Sequence, residues 1–152
     1  MENKKYISSS PYQTKKIAYS LVQKILKIPV IQNQALILAL IGELGTGKTT
    51  FVKRLAQALN IIANILSPTF IIERKFPIRK TRFKYFYHFD CYRLKRGEEL
   101  INLGFKDIIS SPKNFVVIEW ADRVMSLLPS ETIFLKFTFL SQNKREIRIN
   151  YG

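Results

Sequence analysis

The chain has 152 residues, nearly half of them hydrophobic, with 25 Lys or Arg against 11 Asp or Glu and a net charge of +14. That length fits one domain spanning 1–152 with a single well-buried core, and the apolar content excludes a mostly disordered chain. One cysteine, Cys91, excludes an internal disulfide; no apolar run approaches the roughly twenty residues of a bilayer span and none follows the basic start, so no membrane role and a cytoplasmic location are expected.

In chain order, Ser10-Pro11-Tyr12-Gln13 opens the first helix. Serine caps it, proline suits the first helical position, and Gln13 completes a capping box. Ile17, Leu21, Val22 and Ile25 fall on one face, with Lys16, Gln23, Lys24 and Lys27 opposite, and Pro29 ends the element. Next comes an unbroken apolar run, Ala35-Leu36-Ile37-Leu38-Ala39-Leu40-Ile41, the pattern of a strand covered on both faces.

That strand runs into Gly42-Glu43-Leu44-Gly45-Thr46-Gly47-Lys48-Thr49-Thr50, a phosphate-binding loop of the form G-x-x-x-x-G-K-T. A helix follows with Phe51, Val52, Leu55, Ala56 and Leu59 on one face, ending near Asn60. The strand–loop–helix setting gives the motif its meaning. Gly42, Gly45, Thr46, Gly47 and Thr50 would curl backbone N–H groups around the phosphates of a nucleoside triphosphate, where a helix N-terminus adds partial positive charge. Lys48 would reach the β- and γ-phosphates, and the Thr49 hydroxyl would ligate Mg²⁺.

Ser67-Pro68-Thr69-Phe70 breaks the helical pattern. Residues 70–76 and 83–89 read as two strands of an antiparallel hairpin joined by a turn over 77–82. Residues 97–103 form a short helical piece closed by Gly104. Phe115-Val116-Val117-Ile118 is a second fully apolar strand, and alternating runs over 133–140 and 145–151 form a half-buried edge hairpin. The fold class expected is α/β: a three-layer P-loop NTPase-like domain with a mixed parallel/antiparallel sheet and a C-terminal edge hairpin.

A phosphate loop needs a partner acid at the end of a neighbouring buried strand. Glu119, just past Ile118, stands there as a metal-holding carboxylate or a salt-bridged surface carboxylate. Asp90, ending the strand that holds His88 two residues back, is the rival, as a metal ligand, a group that positions the attacking water, or a turn cap. His88 is a hydrogen-bonded structural residue or a ligand, and one histidine with one cysteine leaves no zinc set. Thr69 is a candidate sensor of the γ-phosphate or part of a plain turn; Trp120 packs beside the nucleotide, in the core or at an interface. Arg93 pairs with phosphate or with Asp90. No arginine stands out as a finger aimed at the site in cis, which implies slow hydrolysis unless a partner completes it. The densest basic cluster is Arg74, Lys75, Arg79, Lys80, Arg82 and Lys84, either a solvated surface or a contact for RNA or an acidic partner.

Taken together, the phosphate loop, Ser67-Pro68-Thr69-Phe70, His88-Phe89-Asp90-Cys91-Tyr92-Arg93 and Ile118-Glu119-Trp120 resemble the TsaE (YjeE) family over almost the whole chain. The resemblance implies a cytoplasmic Mg²⁺-dependent ATPase, slow alone, required for threonylcarbamoyladenosine formation in tRNA next to the anticodon. It also implies TsaD and TsaB as partners and no threonylcarbamoyl transfer by this chain itself. Mg²⁺ ligation maps onto Thr49 and Glu119, with Asp90 near the reacting phosphate; with Lys48 these acids form the catalytic set. A family threonine that touches the nucleotide maps onto Thr14. Glu43, Thr46, Cys91 and Ala121 stand where relatives commonly carry Asp, Ala, Leu and Pro. Two other functions fit the motifs less fully. A small-molecule kinase would need an arginine-bearing lid, for which only the turn over 77–82 is available, and an RNA-binding module would use the basic cluster with the ATPase site secondary.

Overall fold

The structure, a computed structural model, describes residues 2–63 and 72–152. Ser67-Pro68-Thr69-Phe70, and with it the expected sensor Thr69, lies outside the described residues. The elements are β1 (Lys4–Ser8), α1 (Pro11–Ile25), β2 (Leu36–Ile41), α2 (Lys48–Ala58), β3 (Glu73–Pro77), β4 (Tyr85–Asp90), α3 (Glu98–Asn102), α4 (Phe105–Ile109), β5 (Asn114–Glu119), β6 (Ile133–Ser141) and β7 (Lys144–Asn150), with a kinked 3₁₀ segment over Ala121–Leu127.

Among the described residues the strands form one sheet in the order β1-β7-β6-β2-β5-β4-β3. The apolar strand β2 lies inside it, parallel to β5 on one side and β6 on the other. Its side chains alternate between two layers. Leu36, Leu38 and Leu40 pack with Leu21, Phe51 and Leu55 of α1 and α2, while Ile37 and Ala39 pack with Leu100, Phe105 and Val124 on the opposite face. Two apolar layers explain why β2 shows no polar alternation. The architecture is the three-layer α/β arrangement with a mixed sheet that the sequence predicts.

Helix α1 begins at its expected serine cap, Ser10 Oγ accepting from the Gln13 N–H at 3.2 Å, but the Gln13 side chain accepts from the N–H of Ser9, one residue upstream, and not from the cap residue as a capping box requires. It ends at Ile25, about one turn before Pro29, because the last turn tightens into Lys27→Lys24 and Ile28→Ile25 backbone bonds. The Arg82 guanidinium donates to the Ile28 and Ile25 carbonyls, satisfying acceptors at the negative end of the helix. Arg82 is thereby withdrawn from the basic surface in which the sequence grouped it.

The short piece over 97–103 forms α3 and is closed by Gly104 (φ 78°) as expected, and α4 follows it as a helix that the sequence did not announce. Two elements differ from expectation. The hairpin β3–β4 is antiparallel as predicted, but Phe83 precedes β4 and stacks in the core on Phe115, ring centroids 5.4 Å apart. The C-terminal hairpin β6–β7 lies one strand in from the edge, because β1 pairs antiparallel with β7. Its sequence, Lys4-Lys5-Tyr6-Ile7-Ser8, carries the lysines that keep an outermost strand from pairing further.

Candidate active site

The loop between β2 and α2 is shaped by two glycines. Gly42 has φ 150°, and a Cβ there would meet the Phe137 carbonyl at 2.6 Å, so only glycine lets the chain leave β2 past β6. Gly47, at φ 95°, is the N-cap of α2 and offers no capping side chain. The first-turn N–H groups of α2 therefore remain available to an anion. Thr46, almost fully buried, braces the loop by donating its hydroxyl to the Glu43 carbonyl at 2.7 Å.

Lys48 opens α2 and folds back under this loop. Its ammonium donates to the carbonyls of Gly42 and Glu43 and lies 4.0 Å from the centroid of the Trp120 ring. Burial lowers its pKa from the ordinary 10.5, while Glu119, Asp122 and Asp90 pull it back up. Trp120 reaches this position through a left-handed backbone, φ 57° and ψ 42°, a conformation that costs a residue with a Cβ about 1–3 kcal/mol. Its ring also packs on Tyr92, with centroids 4.9 Å apart.

Beside Lys48 runs a chain of hydrogen bonds. Thr49 donates its hydroxyl to Glu119 Oε1 at 2.7 Å, and Glu119 Oε2 is 2.6 Å from His88 Nε2. His88 and Glu119 are buried, at 0% and 1% exposure. The parallel register sets His88 opposite Val117 and Asp90 opposite Glu119, which brings both acids to the same end of the sheet. The His88 bond fixes the Glu119 carboxylate in place, and among the described residues His88 Nδ1 has no partner. Asp90 accepts from the Tyr92 N–H at 3.0 Å. Burial raises its pKa above the ordinary 3.8; the Tyr92 bond opposes this, Glu119 adds to it, and His88 and Lys48 oppose it.

Lys48, Thr49, Asp90, Glu119 and Trp120 line a cavity of about 610 Å³ with Gly45, Gly47 and Thr50, within the range of small-molecule sites. Of the residues named from sequence, Lys48, Thr49, Asp90 and Glu119 come together here. Gly42 and Thr46 face a neighbouring hollow on the other side of the loop. Thr14 is absent from the lining, and its hydroxyl is 2.7 Å from Ser8 Oγ. The donor set near Thr49 is a hydroxyl and a carboxylate, hard oxygens suited to a Mg²⁺ ion that keeps several waters.

Two arginines also line the cavity, Arg93 and Arg145. The second was not singled out from the sequence. Arg145 starts β7, and its Cδ and Nε lie 3.3 Å from where a Cβ on Gly47 would be. No local motif marks it; only the pairing of the C-terminal hairpin brings it there.

Comparison with known proteins agrees with this geometry. The family described as threonylcarbamoyl adenosine biosynthesis protein TsaE matches residues 8–147. The chain is 37% identical over 113 residues to the tRNA threonylcarbamoyladenosine biosynthesis protein TsaE of Treponema pallidum, covering 74% of this chain and 80% of that one. It is 33% identical over 140 residues to the Rickettsia felis protein of the same name, with coverage of 91% and 75%. The crystal structure of Bacillus YdiB superposes with a TM-score of 0.69 over 99% of this chain and 87% of that one; at 24% identity it bears on the fold alone. With the phosphate loop, both acids and most of the C-terminal hairpin inside the matched span, the chain belongs to the TsaE family of threonylcarbamoyl adenosine biosynthesis proteins.

Proposed function

We propose that this protein binds ATP with Mg²⁺ in the cavity at the end of β2, hydrolyses it slowly alone, and turns over fully with TsaD and TsaB. In that role it supports formation of threonylcarbamoyladenosine in tRNA without transferring the threonylcarbamoyl group itself. The observation that carries the reading is the run Thr49–Glu119–His88 beside a lysine held under a phosphate loop.

On this reading the uncapped N–H groups of α2 and the Lys48 ammonium hold the β- and γ-phosphates, exchanging the carbonyls of Gly42 and Glu43 for phosphate oxygens. Thr49 and Glu119 would hold Mg²⁺, which when bound offsets charge on the reacting phosphate. Asp90, half-buried at the cavity wall, orients the attacking water and takes up its proton, a role that its raised pKa suits. His88 keeps Glu119 oriented. Both partners and a cytoplasmic location belong to this proposal; among the described residues no helix is long and apolar enough to cross a membrane. tRNA is reached through TsaD and TsaB. A direct contact would run through Arg74, Lys75, Arg79, Lys80 and Lys84, and Lys75 already lies 3.9 Å from the centroid of the Tyr85 ring.

The test is a hydrolysis assay with and without TsaD and TsaB, followed by measurement of modified tRNA. Stimulation by the pair is expected. Glu119→Gln should still bind ATP while its hydrolysis in the complex falls at least about a hundredfold, the usual scale for a removed electrostatic contact in a transition state. Parental turnover by that variant would move the metal-holding role to Asp90.

A further inference from the structure

The two oxygens of Glu119 are held by different partners. Oε1 accepts the Thr49 hydroxyl at 2.7 Å, and Oε2 lies 2.6 Å from His88 Nε2. Thr49 belongs to the cavity and stands in the first turn of α2, beside the phosphate loop. His88 is closed off from solvent, at 0% exposure. Its strand is paired on both sides, with Arg74 of β3 and Val117 of β5 opposite it, so the sheet fixes the ring. Val117 shares its face with Glu119, two residues on, which sets the carboxylate diagonally across from the imidazole. Among the described residues Nδ1 is unpartnered, so the polar work of this buried ring is its hold on Oε2. Asp90 is tied in a similar way, its Oδ1 accepting from the Tyr92 N–H at 3.0 Å. Each acid at this end of the sheet thus has one oxygen engaged by a nitrogen of the protein.

We propose that His88 makes this site selective for Mg²⁺ over Ca²⁺, by reserving Oε2 so that Glu119 offers a cation Oε1 alone. The inference rests on the reading of Thr49 and Glu119 as the Mg²⁺-holding pair and adds a specificity residue to it. A metal-holding carboxylate is ionised and only accepts, so the bond to His88 persists while Oε1, on the Thr49 side, is the oxygen left for the cation. Mg²⁺ is small, keeps several waters and is served by one or two carboxylates beside substrate phosphates. Ca²⁺ takes about six to eight oxygens and often both oxygens of one carboxylate. To chelate it that way, Glu119 would have to leave the imidazole and strand Nε2 in a buried place. The Asp90 bond to Tyr92 resists the same change at the second acid. His88 is a positioning residue, acting on the cation through Glu119.

Calorimetry with a non-hydrolysable ATP analogue, in saturating Mg²⁺, in saturating Ca²⁺ and in chelator alone, tests this on the parent chain, His88→Phe and His88→Gln. In the parent, Mg²⁺ should tighten the nucleotide at least about tenfold more than Ca²⁺ does. His88→Phe, which keeps a ring without donors, should lose about tenfold with Mg²⁺, the scale for a group that orients a metal ligand, and nothing in chelator. With Ca²⁺ its affinity should hold or rise, which closes the gap. A merely structural role would weaken all three conditions alike. His88→Gln, whose amide N–H can stand near the place of Nε2, should recover most of the Mg²⁺ preference. Circular dichroism checks the fold, and His88→Leu replaces the Phe variant if that one does not fold. Equal tightening by the two cations in the parent overturns the proposal, as does a loss of equal size in all three conditions. A parent that binds no nucleotide in any condition overturns the ATP-site reading, and binding that no cation improves overturns the metal-holding pair; the proposal falls with either. A parent that prefers Mg²⁺, with a Phe variant that keeps the preference, overturns only the role of the histidine.

Discussion

Two carboxylates share one end of the sheet, and their surroundings give them different work. Glu119 is buried with both oxygens bonded, to Thr49 and His88, whereas Asp90 is half-buried and, among the described residues, its side chain is tied only to a backbone N–H at 3.0 Å. Burial raises the Asp90 pKa above 3.8, which means that folding disfavours its ionised form. The stability contribution is therefore complete below pH 3.8 and is lost as pH rises through the folded value. Asp90→Asn, in metal-free buffer, should melt above the parent at pH 7, with the two converging at acid pH, while its hydrolysis drops. Thermal melts across that range check this, and a parent that melts above Asp90→Asn at pH 7 contradicts it. Next to it, Cys91 is buried enough to push its thiol up to about 12, so at neutral pH it is a small neutral packing group.

At the scale of elements, α2 gives up the stabilisation of a capping side chain at Gly47 and leaves its first N–H groups for a ligand. Packing holds the helix instead. Phe51, Val52 and Leu55 are fully buried, and the Phe51 ring meets Phe137 of β6 edge-on at 5.4 Å. The sheet is anchored away from the cavity by Phe115, near the start of β5, between the rings of Phe83 and Phe86 at 5.4 and 5.6 Å. Phe115→Ala should cost about 3–5 kcal/mol, lowering the melting midpoint by roughly 6–20 °C for a chain of this size. Glu119 lies at the opposite end of the same strand, so nucleotide affinity of the folded variant should stay at the parental level. A scanning calorimetry trace and a binding titration on one preparation measure both.

Over the whole molecule, what was legible in the sequence was what has a local cause. The apolar runs over 35–41 and 115–118 are strands buried on both faces, and the glycine-rich loop between strand and helix forms where the motif predicts. Glu119 and Asp90 were readable as strand-end acids because apolar runs stop at each. Long-range pairing was not readable. The strand Lys4–Ser8 has too little apolar alternation to announce itself and exists because β7 offers an edge. Arg145 sits about a hundred residues beyond Gly47, and its approach depends on β6 pairing with β2, on the turn of the hairpin and on β1 closing the outside. Arg82 looked like surface charge because nothing near it in sequence reveals the helix end that it satisfies. The net charge of +14 is thus partly spent inside the fold, on a helix terminus and beside the phosphate loop. For the remaining basic turn, a tRNA filter-binding titration at low salt separates direct contact, with affinity falling steeply as salt rises, from contact through partners alone.

The central claim is that main-chain amides at the start of α2 and the ammonium of Lys48 grip the phosphates of ATP. Its most direct test is calorimetric titration of the parent chain and Lys48→Ala with ATP at millimolar Mg²⁺. Measurable binding by the parent and a ten- to hundredfold loss in the variant, about 1.5–3 kcal/mol for one charge-assisted contact, is the predicted result. Equal affinity in the two proteins, or no heat of binding in the parent, would contradict it.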